Sequence, residues 1–293
     1  MTVSSPLLFI LGTQRAGTTL LTRALSAHKD LFIQNEISVE QVFPEKIDAS
    51  AMLDAMDTQI LKRHKQNINQ IMLSQKKQYW GIKDPELTDH LSALEKFSTL
   101  SKFIIIVRDA RGVVNSYIDN RWGLGTNAYT GAKRWKMEVD KQIAFAKKFP
   151  EQTLVIRFED FISDMEHSLR QICFHLDIVF DETMLKYNKK EAQFKENASN
   201  INTKKPPDLR LATKWENKLS SRQIGIINFV AQDTLKSQGY DLSIPPLKPS
   251  FYESLYYKMH QQIVGELQLQ WQWRKARYKS FKKNSKQPSI RIK

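Results

Sequence analysis

One stretch decides the fold of this 293-residue chain: Gly12-Thr13-Gln14-Arg15-Ala16-Gly17-Thr18-Thr19. Five apolar residues, Leu7 to Leu11, precede it and predict a buried strand, and apolar residues at helical spacing follow it. A glycine-bounded loop between a strand and a helix gathers backbone N–H groups and the helix N-terminus around an anion. We therefore predict a phosphate-binding loop.

One position separates this loop from the loops of enzymes that hydrolyse nucleoside triphosphates. Those loops read G-x-x-x-x-G-K-[ST], and their Lys reaches the β- and γ-phosphates. Here position 18 is Thr, and Arg15 places a cation inside the loop. The loop therefore predicts a nucleotide that carries a 5′-phosphate group but no γ-phosphate.

A second motif follows a second apolar run, Phe103 to Val107. The run is short, continuous and β-branched, as in a strand that is buried on both faces of a parallel sheet. Arg108 ends the run, and Ser116 lies in the helix that we expect to begin near Gly112. Both side chains can therefore face one ligand at the carboxyl edge of the sheet, where open α/β sheets bind their ligands.

Together the two motifs resemble those of sulfotransferases, which use 3′-phosphoadenosine 5′-phosphosulfate (PAPS) as donor. The resemblance implies that the loop holds the 5′-phosphosulfate, that Arg108 and Ser116 hold the 3′-phosphate, and that 3′,5′-ADP (PAP) is the product. It implies no metal. Two alternatives remain at this point: a degenerate loop that binds nothing, and a surface arginine that pairs with Asp109 or Glu159.

Two further residues complete a candidate reaction centre. Glu36 follows the predicted second strand, and Lys83 begins the tripeptide Lys83-Asp84-Pro85. With the loop and the Arg108/Ser116 pair, they look most like the tyrosylprotein-sulfotransferase branch. The resemblance implies that Glu36 is the general base for the acceptor and that Lys83 stabilises the leaving group.

Physical chemistry adds conditions to these roles. Cations and loop N–H groups can stabilise charge on the leaving oxygen, which makes Arg15 the third candidate catalytic residue. Glu36 suits the role of base if burial raises its pKa, and the alternative is a plain surface carboxylate. Asp84 is expected to cap the turn before Pro85.

The resemblance covers about residues 7 to 241 and includes a late segment. Lys205-Pro206, with Trp215 ten residues after the Lys, is similar to a segment of that branch that closes over the cofactor. Two positions depart from the family pattern, since Phe158 stands where Tyr is frequent and Asn120 where the family carries a cation. The implied donor-binding residues are Thr13, Gln14, Arg15, Ala16, Gly17, Thr18, Thr19, Arg108, Ser116 and Lys205.

The pattern of short apolar strands and helical segments predicts one α/β enzyme domain. We expect a P-loop-type, three-layer fold with a central parallel sheet flanked by helices. Residues 1–248 are expected to form the sulfotransferase domain, and residues 249–293 a C-terminal amphipathic helix and basic tail. A polar stretch from Ala49 to Lys77 is predicted to be a helical insertion, which either shapes the choice of acceptor or is a peripheral helical pair.

The single cysteine and the lack of long apolar runs favour a cytoplasmic location. Cys173, in a predicted core helix, can form no internal disulfide. The run Leu7 to Leu11 is too short for a signal peptide and has no basic residues before it. No apolar run reaches the length of about eighteen residues that a membrane-spanning helix needs.

The carboxyl terminus has a different composition from the rest of the chain. Ser250-Phe251-Tyr252-Glu253 is a capping-box signature. From Arg274 to Lys293 there are nine Lys or Arg residues and no acid, within a net charge of +14. Apolar residues recur before this segment at helical spacing: Tyr252, Tyr256, Met259, Ile263, Leu267 and Trp271.

Three interpretations of this terminus are open. It could bind an anionic membrane peripherally, at the inner membrane surface. It could pack on the domain and end in a disordered tail, or it could contact nucleic acid. Of these three interpretations, contact with nucleic acid is the one that we do not expect.

The sequence therefore predicts an enzyme that transfers a sulfuryl group from PAPS to an acceptor hydroxyl. The lack of a secretion signal and the basic tail favour a carbohydrate or glycolipid acceptor, and the resemblance alone makes a peptide tyrosine the second choice. A P-loop NTP-dependent kinase is the alternative in another enzyme class, and Thr18 counts against it. A non-catalytic basic module that binds membrane or nucleic acid is the last alternative, and Glu36 and Lys83 count against that.

Overall fold

The computed structural model describes residues 6–43, 48–189 and 205–284. The strands are β1 (Leu7–Leu11), β2 (Leu31–Asn35), β3 (Tyr79–Lys83), β4 (Ser101–Val107) and β5 (Thr153–Arg157). The α-helices are α1 (Thr18–Ser26), α2 (Val39–Val42), α3 (Ala49–His64), α4 (Ile68–Ser74), α5 (Leu91–Leu94), α6 (Ala110–Asn120), α7 (Ala128–Lys148), α8 (Phe158–Ser163), α9 (Met165–His175), α10 (Arg210–Thr213), α11 (Ser221–Ser237) and α12 (Phe251–Asn284). Short 3₁₀ helices span Pro85–His90, Glu95–Phe97, Glu182–Met184, Tyr187–Lys189 and Lys214–Asn217.

The five strands form one parallel sheet in the order β2-β3-β1-β4-β5. Parallel neighbours need crossover connections, which the helices between successive strands supply. All five strands therefore end at the same edge of the sheet, and the pairing aligns Asn35 with Lys83 and Val107 with Arg157 there. The prediction of a P-loop-type α/β fold with a central parallel sheet flanked by helices is confirmed.

The side chains of the strands alternate between two buried layers. Leu8 and Ile10 of β1 belong to a core cluster with residues of α1, α8 and α9. Phe9, which points to the opposite face, stacks on Phe103 of β4 with ring centroids 5.5 Å apart. Burial on both faces explains why these strands read as continuous apolar runs. Cys173 lies buried in α9, as predicted for a core helix position.

The chain divides into two compact units. The first takes its described residues from Met1–Gly112 and Met137–Lys214 and contains the whole sheet. The second takes them from Val113–Lys136 and Trp215–Lys293, with α11 and α12. The division of the chain at residue 248 stays a prediction. No helix among the described residues combines the length and the apolar character that crossing a membrane requires.

Candidate active site

Each of the five strands of the first unit ends next to a residue of interest. The loop 12–19 follows β1, Glu36 follows β2, and Lys83 is the last residue of β3. Arg108 follows β4 and Phe158 follows β5. The fold therefore brings these residues to one edge of the sheet, the carboxyl edge at which open α/β sheets bind ligands.

The loop after β1 has the backbone of an anion-binding turn. Arg15 and Gly17 both have positive φ, 73° and 102°, and the backbone N–H of Ala16 donates to the carbonyl of Thr13 at 3.0 Å. Alternation of left- and right-handed residues turns successive N–H groups to one side, which forms a concave anion site. Helix α1 begins at Thr18 without a side-chain cap. Its first N–H groups, which have no partner inside a helix, therefore face the same concavity.

The residues of the loop differ in exposure. Thr13, Ala16 and Thr18 are buried, while Gln14, Arg15, Gly17 and Thr19 are partly exposed. The buried hydroxyl of Thr13 has no hydrogen-bond partner among the described residues. A buried polar atom without a partner costs free energy, so an anionic group in the loop would offer this hydroxyl an acceptor. The loop thus fits the 5′-phosphosulfate group that the resemblance implies.

Arg108 is held across the mouth of this loop. Its guanidinium donates to the backbone carbonyl of Arg15 at 3.1 Å and to that of Leu211 at 2.5 Å. It also lies over the ring of Phe158, 4.5 Å from the centroid. The same ring approaches Gly17, where an added Cβ would lie 2.4 Å from it. Phe158 therefore packs against both the loop and Arg108, at the position where Tyr is frequent in the family that the motifs resemble.

Asp109, one of the two carboxylates considered as a surface partner of Arg108, forms an ion pair with Arg111. Asp109 accepts hydrogen bonds from the guanidinium of Arg111, the shortest at 2.6 Å, and its backbone N–H donates to Glu159 at 3.2 Å. Both Asp109 and Arg111 are buried. This pair fixes the first turn of α6 directly behind Arg108.

Lys83 and Glu36 form an ion pair at the ends of adjacent strands. The ammonium Nζ of Lys83 lies 3.3 Å from Oε1 of Glu36, and the backbone N–H of Glu36 donates to the carbonyl of Lys83 at 2.7 Å. Lys83 is 1% exposed, whereas the Glu36 side chain is 61% exposed. The Glu36 carboxylate is therefore not buried, although burial was the condition under which it would suit the role of base. It is exposed because Glu36 lies beyond the end of β2 with a left-handed backbone, φ 55°. Its close partner is an ammonium group instead.

Burial lowers the pKa of Lys83, and the charges of Glu36 and Asp84 act in the opposite direction. A buried ammonium with a lowered pKa gives up its proton more easily than an exposed lysine does. Lys83 is thus suited to stabilise or protonate an oxygen that gains negative charge.

Asp84 has the structural role that the sequence indicates. Its carboxylate accepts from the backbone N–H of Glu86 at 2.9 Å and of Ile37 at 3.1 Å. Asp84 therefore caps the turn at Pro85 and connects it to the Glu36 loop, residues 36–38 between β2 and α2. Burial raises the pKa of Asp84 to about 6, although both N–H groups and Lys83 act to lower it.

Two residues that sequence reasoning missed hold the Glu36 loop from the side of α3. The guanidinium of Arg63 donates to the carbonyls of Asn35 at 2.8 Å and Glu36 at 2.9 Å. Gln59 exchanges hydrogen bonds with the backbone of Ser38, at 2.8 Å and 3.1 Å. The predicted insertion, which is helical as α3 and α4, therefore supports the loop of the candidate base. No motif marks these two residues, since their role depends on where α3 lies.

Two predicted donor-binding residues take no part in the contacts described above. Ser116 lies in α6, in the part that belongs to the second unit. Lys205 is the first described residue after position 189, and its carbonyl accepts a hydrogen bond from the hydroxyl of Tyr187 at 2.8 Å. Their roles toward the donor stay predictions, as do the roles of the other site residues. Among the described residues, His, Cys, Asp and Glu side chains nowhere form a group of three that could hold a metal ion.

Comparison with protein families identifies the class to which this fold and site belong. The model of the Sulfotransferase family matches residues 6–182, which is more than half of the chain. The chain therefore belongs to the Sulfotransferase family and is a PAPS-dependent sulfotransferase, with PAPS as donor and PAP as product. The resemblance drawn from its motifs is confirmed.

Two relatives carry more specific names. A "Putative protein-tyrosine sulfotransferase" of Caenorhabditis briggsae is 23% identical over 273 residues, with 81% of this chain and 90% of the relative covered. "Protein-tyrosine sulfotransferase 1" of Danio rerio is 23% identical over 245 residues, with 73% of this chain and 66% of the relative covered. Among solved structures, the sulfotransferase domain from the curacin biosynthetic pathway is similar with a TM-score of 0.61 and 20% identity, over 81% of this chain and 98% of that domain. The likeness to that domain concerns the fold.

Proposed function

We propose that this enzyme transfers the sulfuryl group to the hydroxyl of a tyrosine in a protein or peptide. The observation that carries the proposal is the ion pair of Glu36 and Lys83 at the carboxyl edge of the sheet, 3.3 Å apart and next to the loop after β1. The names of the two relatives support tyrosine as the acceptor. They give no support to the carbohydrate or glycolipid acceptor that the sequence favours.

The proposed chemistry divides between the two members of the pair. PAPS supplies an activated sulfuryl group. The exposed carboxylate of Glu36 accepts the proton of the acceptor hydroxyl, as a general base within hydrogen-bond reach does. The buried ammonium of Lys83 places positive charge at the same edge, where it stabilises the oxygen that leaves. Arg15 and the N–H groups of its loop bind the anionic group of the donor. Metal-free transfer stays a prediction.

The surroundings of Glu36 indicate which peptides it would receive. The last turn of α3 carries Lys62, Arg63 and His64, and Lys65 follows. Arg63 lies directly on the Glu36 loop through its two hydrogen bonds. A peptide with carboxylates beside its tyrosine would therefore be attracted to this site more strongly than a neutral or basic peptide, and salt would weaken the attraction.

The test is incubation of the purified protein with PAPS and a panel of acceptors. The panel contains a tyrosine peptide with flanking carboxylates, the same peptide with Phe in place of Tyr, a neutral tyrosine peptide, and oligosaccharide and glycolipid acceptors. Mass spectrometry then identifies the acceptor that gains one sulfuryl group. We expect transfer to the acidic tyrosine peptide, less to the neutral one, and none to the Phe peptide.

Two outcomes would contradict the proposal in different ways. Transfer to oligosaccharide or glycolipid but not to the tyrosine peptides would refute the acceptor and leave the sulfotransferase in place. Turnover of ATP, with equal thermal stabilisation by ATP and PAP, would refute the donor and favour the kinase alternative.

A further inference from the structure

Helix α12 shows two faces of opposite character within the second unit. It is 34 residues long, Phe251–Asn284. At 1.5 Å per residue such a helix extends for about 50 Å. Its capping box is formed as predicted, because Ser250 and Glu253 exchange backbone-to-side-chain hydrogen bonds at 2.8 Å and 3.2 Å.

One face of α12 is polar and bonded to the loop before α7. Gln261 donates to the carbonyl of Gly123 at 2.6 Å and accepts from the N–H of Thr126 at 2.8 Å. Gln268 accepts from the N–H of Gly123 at 3.2 Å. Gly123 allows the close approach, since a Cβ added there would lie 2.5 Å from the carbonyl oxygen of Gly265. The contacts of this face with Gly123 are thus made by glutamine and glycine, while Tyr257 on the same side stacks on Tyr129 of α7 with ring centroids 6.0 Å apart.

The apolar stripe lies on the opposite face and is exposed. At 100° per residue, Ile263 and Leu267 lie more than a quarter-turn away from Gln261 and Gly265. The exposed members of the stripe are Tyr252 at 80%, Tyr256 at 61%, Met259 at 51%, Ile263 at 58%, Leu267 at 60% and Trp271 at 67%. A contiguous exposed apolar surface of this kind is typical of a site for a membrane or another macromolecule.

The charge of α12 selects between these partners. Residues 274–284 contain six Lys or Arg and no acid, and the chain to residue 293 adds three more cations. The stripe itself is rich in Tyr and Trp, whose amphipathic rings suit the boundary between acyl chains and headgroups. Basic residues that continue an aromatic, amphipathic helix are complementary to an anionic lipid surface, on which such a helix lies in the plane of the interface.

A second copy of α12 would be a poorer partner for the stripe. A coiled coil needs apolar residues every 3.5 positions on average, as Tyr252, Tyr256, Met259 and Ile263 provide. Continuation of that seam adds Trp273 but also places Glu266, Gln270 and Arg277 in it. The apolar stripe instead follows the 3.6-residue period of a straight helix through Leu267 and Trp271, which suits a flat surface.

We propose that the exposed face of α12 docks this sulfotransferase peripherally on anionic lipid. The apolar stripe enters the headgroup region, and the exposed cations Arg274, Lys275 and Arg277 bind the lipid phosphates. The polar face stays bonded to the loop at Gly123, so docking requires no unfolding of the second unit.

The test is co-sedimentation of the full-length protein with lipid vesicles at several salt concentrations. Vesicles of phosphatidylcholine alone are compared with vesicles that also contain phosphatidylglycerol. We expect binding to the anionic vesicles only. The variant Ile263→Gln/Leu267→Gln should bind the anionic vesicles about tenfold or more weakly at every salt concentration, because two apolar side chains are no longer transferred from water into the membrane. The variant Arg274→Gln/Lys275→Gln/Arg277→Gln should weaken this binding about tenfold or more at low salt and less as salt screens the charges.

Matched variants control for composition. Leu73→Gln/Val179→Gln replaces two apolar residues that are also exposed, at 81% and 82%, but lie in the first unit. Lys147→Gln/Lys186→Gln/Lys236→Gln removes three exposed cations that lie outside α12. Both controls should bind vesicles within about twofold of the wild type, since surface changes away from the docking face have small effects. If the Ile263/Leu267 variant melts at a lower temperature than the wild type, Trp271→Gln replaces it in the test.

Three results would overturn the proposal. The first is a full-length protein that does not bind anionic vesicles at low salt. The second is unchanged vesicle binding by the Ile263/Leu267 variant with loss in the charge variant, because attraction by charge alone also describes a nucleic acid. The third is a dimer, seen by sedimentation equilibrium, that the Ile263/Leu267 variant dissociates, because a second copy would then cover the stripe.

Discussion

The carboxyl edge of the sheet and helix α12 use apolar and polar residues in opposite ways. At the sheet edge, apolar strands are buried and deliver polar residues to the place where they end, such as Lys83 with 1% exposure. In α12, glutamines bind the loop at Gly123 and Tyr257 stacks on Tyr129, whereas the apolar stripe faces outward. The comparison separates two functions of hydrophobic pattern, since in one region it builds the core and in the other it marks a surface for a partner.

The difference also concerns which residues can be replaced without unfolding the protein. Residues at the sheet edge are tied to the ends of several strands, so their replacement should change both chemistry and stability. Stripe residues of α12 touch water, so their replacement should change only binding. Each of the following experiments examines one side of this contrast.

Glu36→Gln should have the largest effect. A general base contributes about 10²–10⁴ to kcat, and the amide cannot accept the proton of the acceptor. PAP should still raise the melting temperature as in the wild type, because Glu36 belongs to the proposed acceptor side. Glu86→Gln, an exposed carboxylate near the same edge, is the matched control and should keep near-normal turnover. Wild-type kcat in Glu36→Gln would mean that another residue is the base.

Asp84→Asn should change the pH dependence of stability. The pKa of Asp84 is raised to about 6 by burial, so the folded state holds this proton more tightly than the unfolded state does. The resulting stability is complete below the ordinary pKa of 3.8 and is lost as the pH rises through about 6. Between about pH 4 and pH 7, the free energy of unfolding of the variant should therefore rise relative to that of the wild type by up to about 3 kcal/mol, at about 1.4 kcal/mol per pKa unit.

Urea unfolding at the two pH values measures this difference. Asp89→Asn is the control, because the Asp89 side chain is 59% exposed and pairs with Lys141 at the surface. A stability difference between Asp84→Asn and the wild type that does not change with pH would show that Asp84 has the same pKa in both states.

Arg108→Ala should weaken PAP binding by an order of magnitude or more. A hydrogen bond from a charged group contributes roughly 1.5–3 kcal/mol, and the variant also loses the contacts that Arg108 makes with Phe158 and the carbonyl of Arg15. Isothermal titration with PAP gives the dissociation constant. The control is Arg157→Ala at the end of β5, next to Asp160. Equal losses in the two variants would point to general charge rather than to a specific site.

The sequence was sufficient to predict the sheet, the loop after β1 and the strand-end position of Arg108. These features depend on local patterns: a continuous apolar run predicts a buried strand, and its carboxyl end predicts where the next residue lies. The exposure of Glu36 and its support by Arg63 could not be predicted. Both depend on where α3 lies beside β2, and no local motif encodes that position.

Helix α12 shows the same limit in another form. Its capping box and its helical period were predicted from residues near one another in the chain, and both are present. The direction of the stripe was left open between a packed helix and a membrane-binding one. Period alone gives the angle between residues around the axis, and it does not tell which side meets the rest of the protein. That side was decided by Gly265 and Gln261, which match the loop at Gly123.

The smallest changes in stability should come from substitutions in α12, and among these the polar residue Gln261 should have the largest effect. Gln261→Ala removes hydrogen bonds to Gly123 and Thr126 that are partly buried, which should destabilise the protein by about 1–3 kcal/mol. Gln262→Ala, its exposed neighbour, should change stability by less than about 0.5 kcal/mol, and so should Ile263→Gln on the apolar stripe. Urea unfolding of the three variants decides the order. A loss in Ile263→Gln that equals or exceeds the loss in Gln261→Ala would mean that the stripe is covered in the folded protein, and the contrast between the two regions would then disappear.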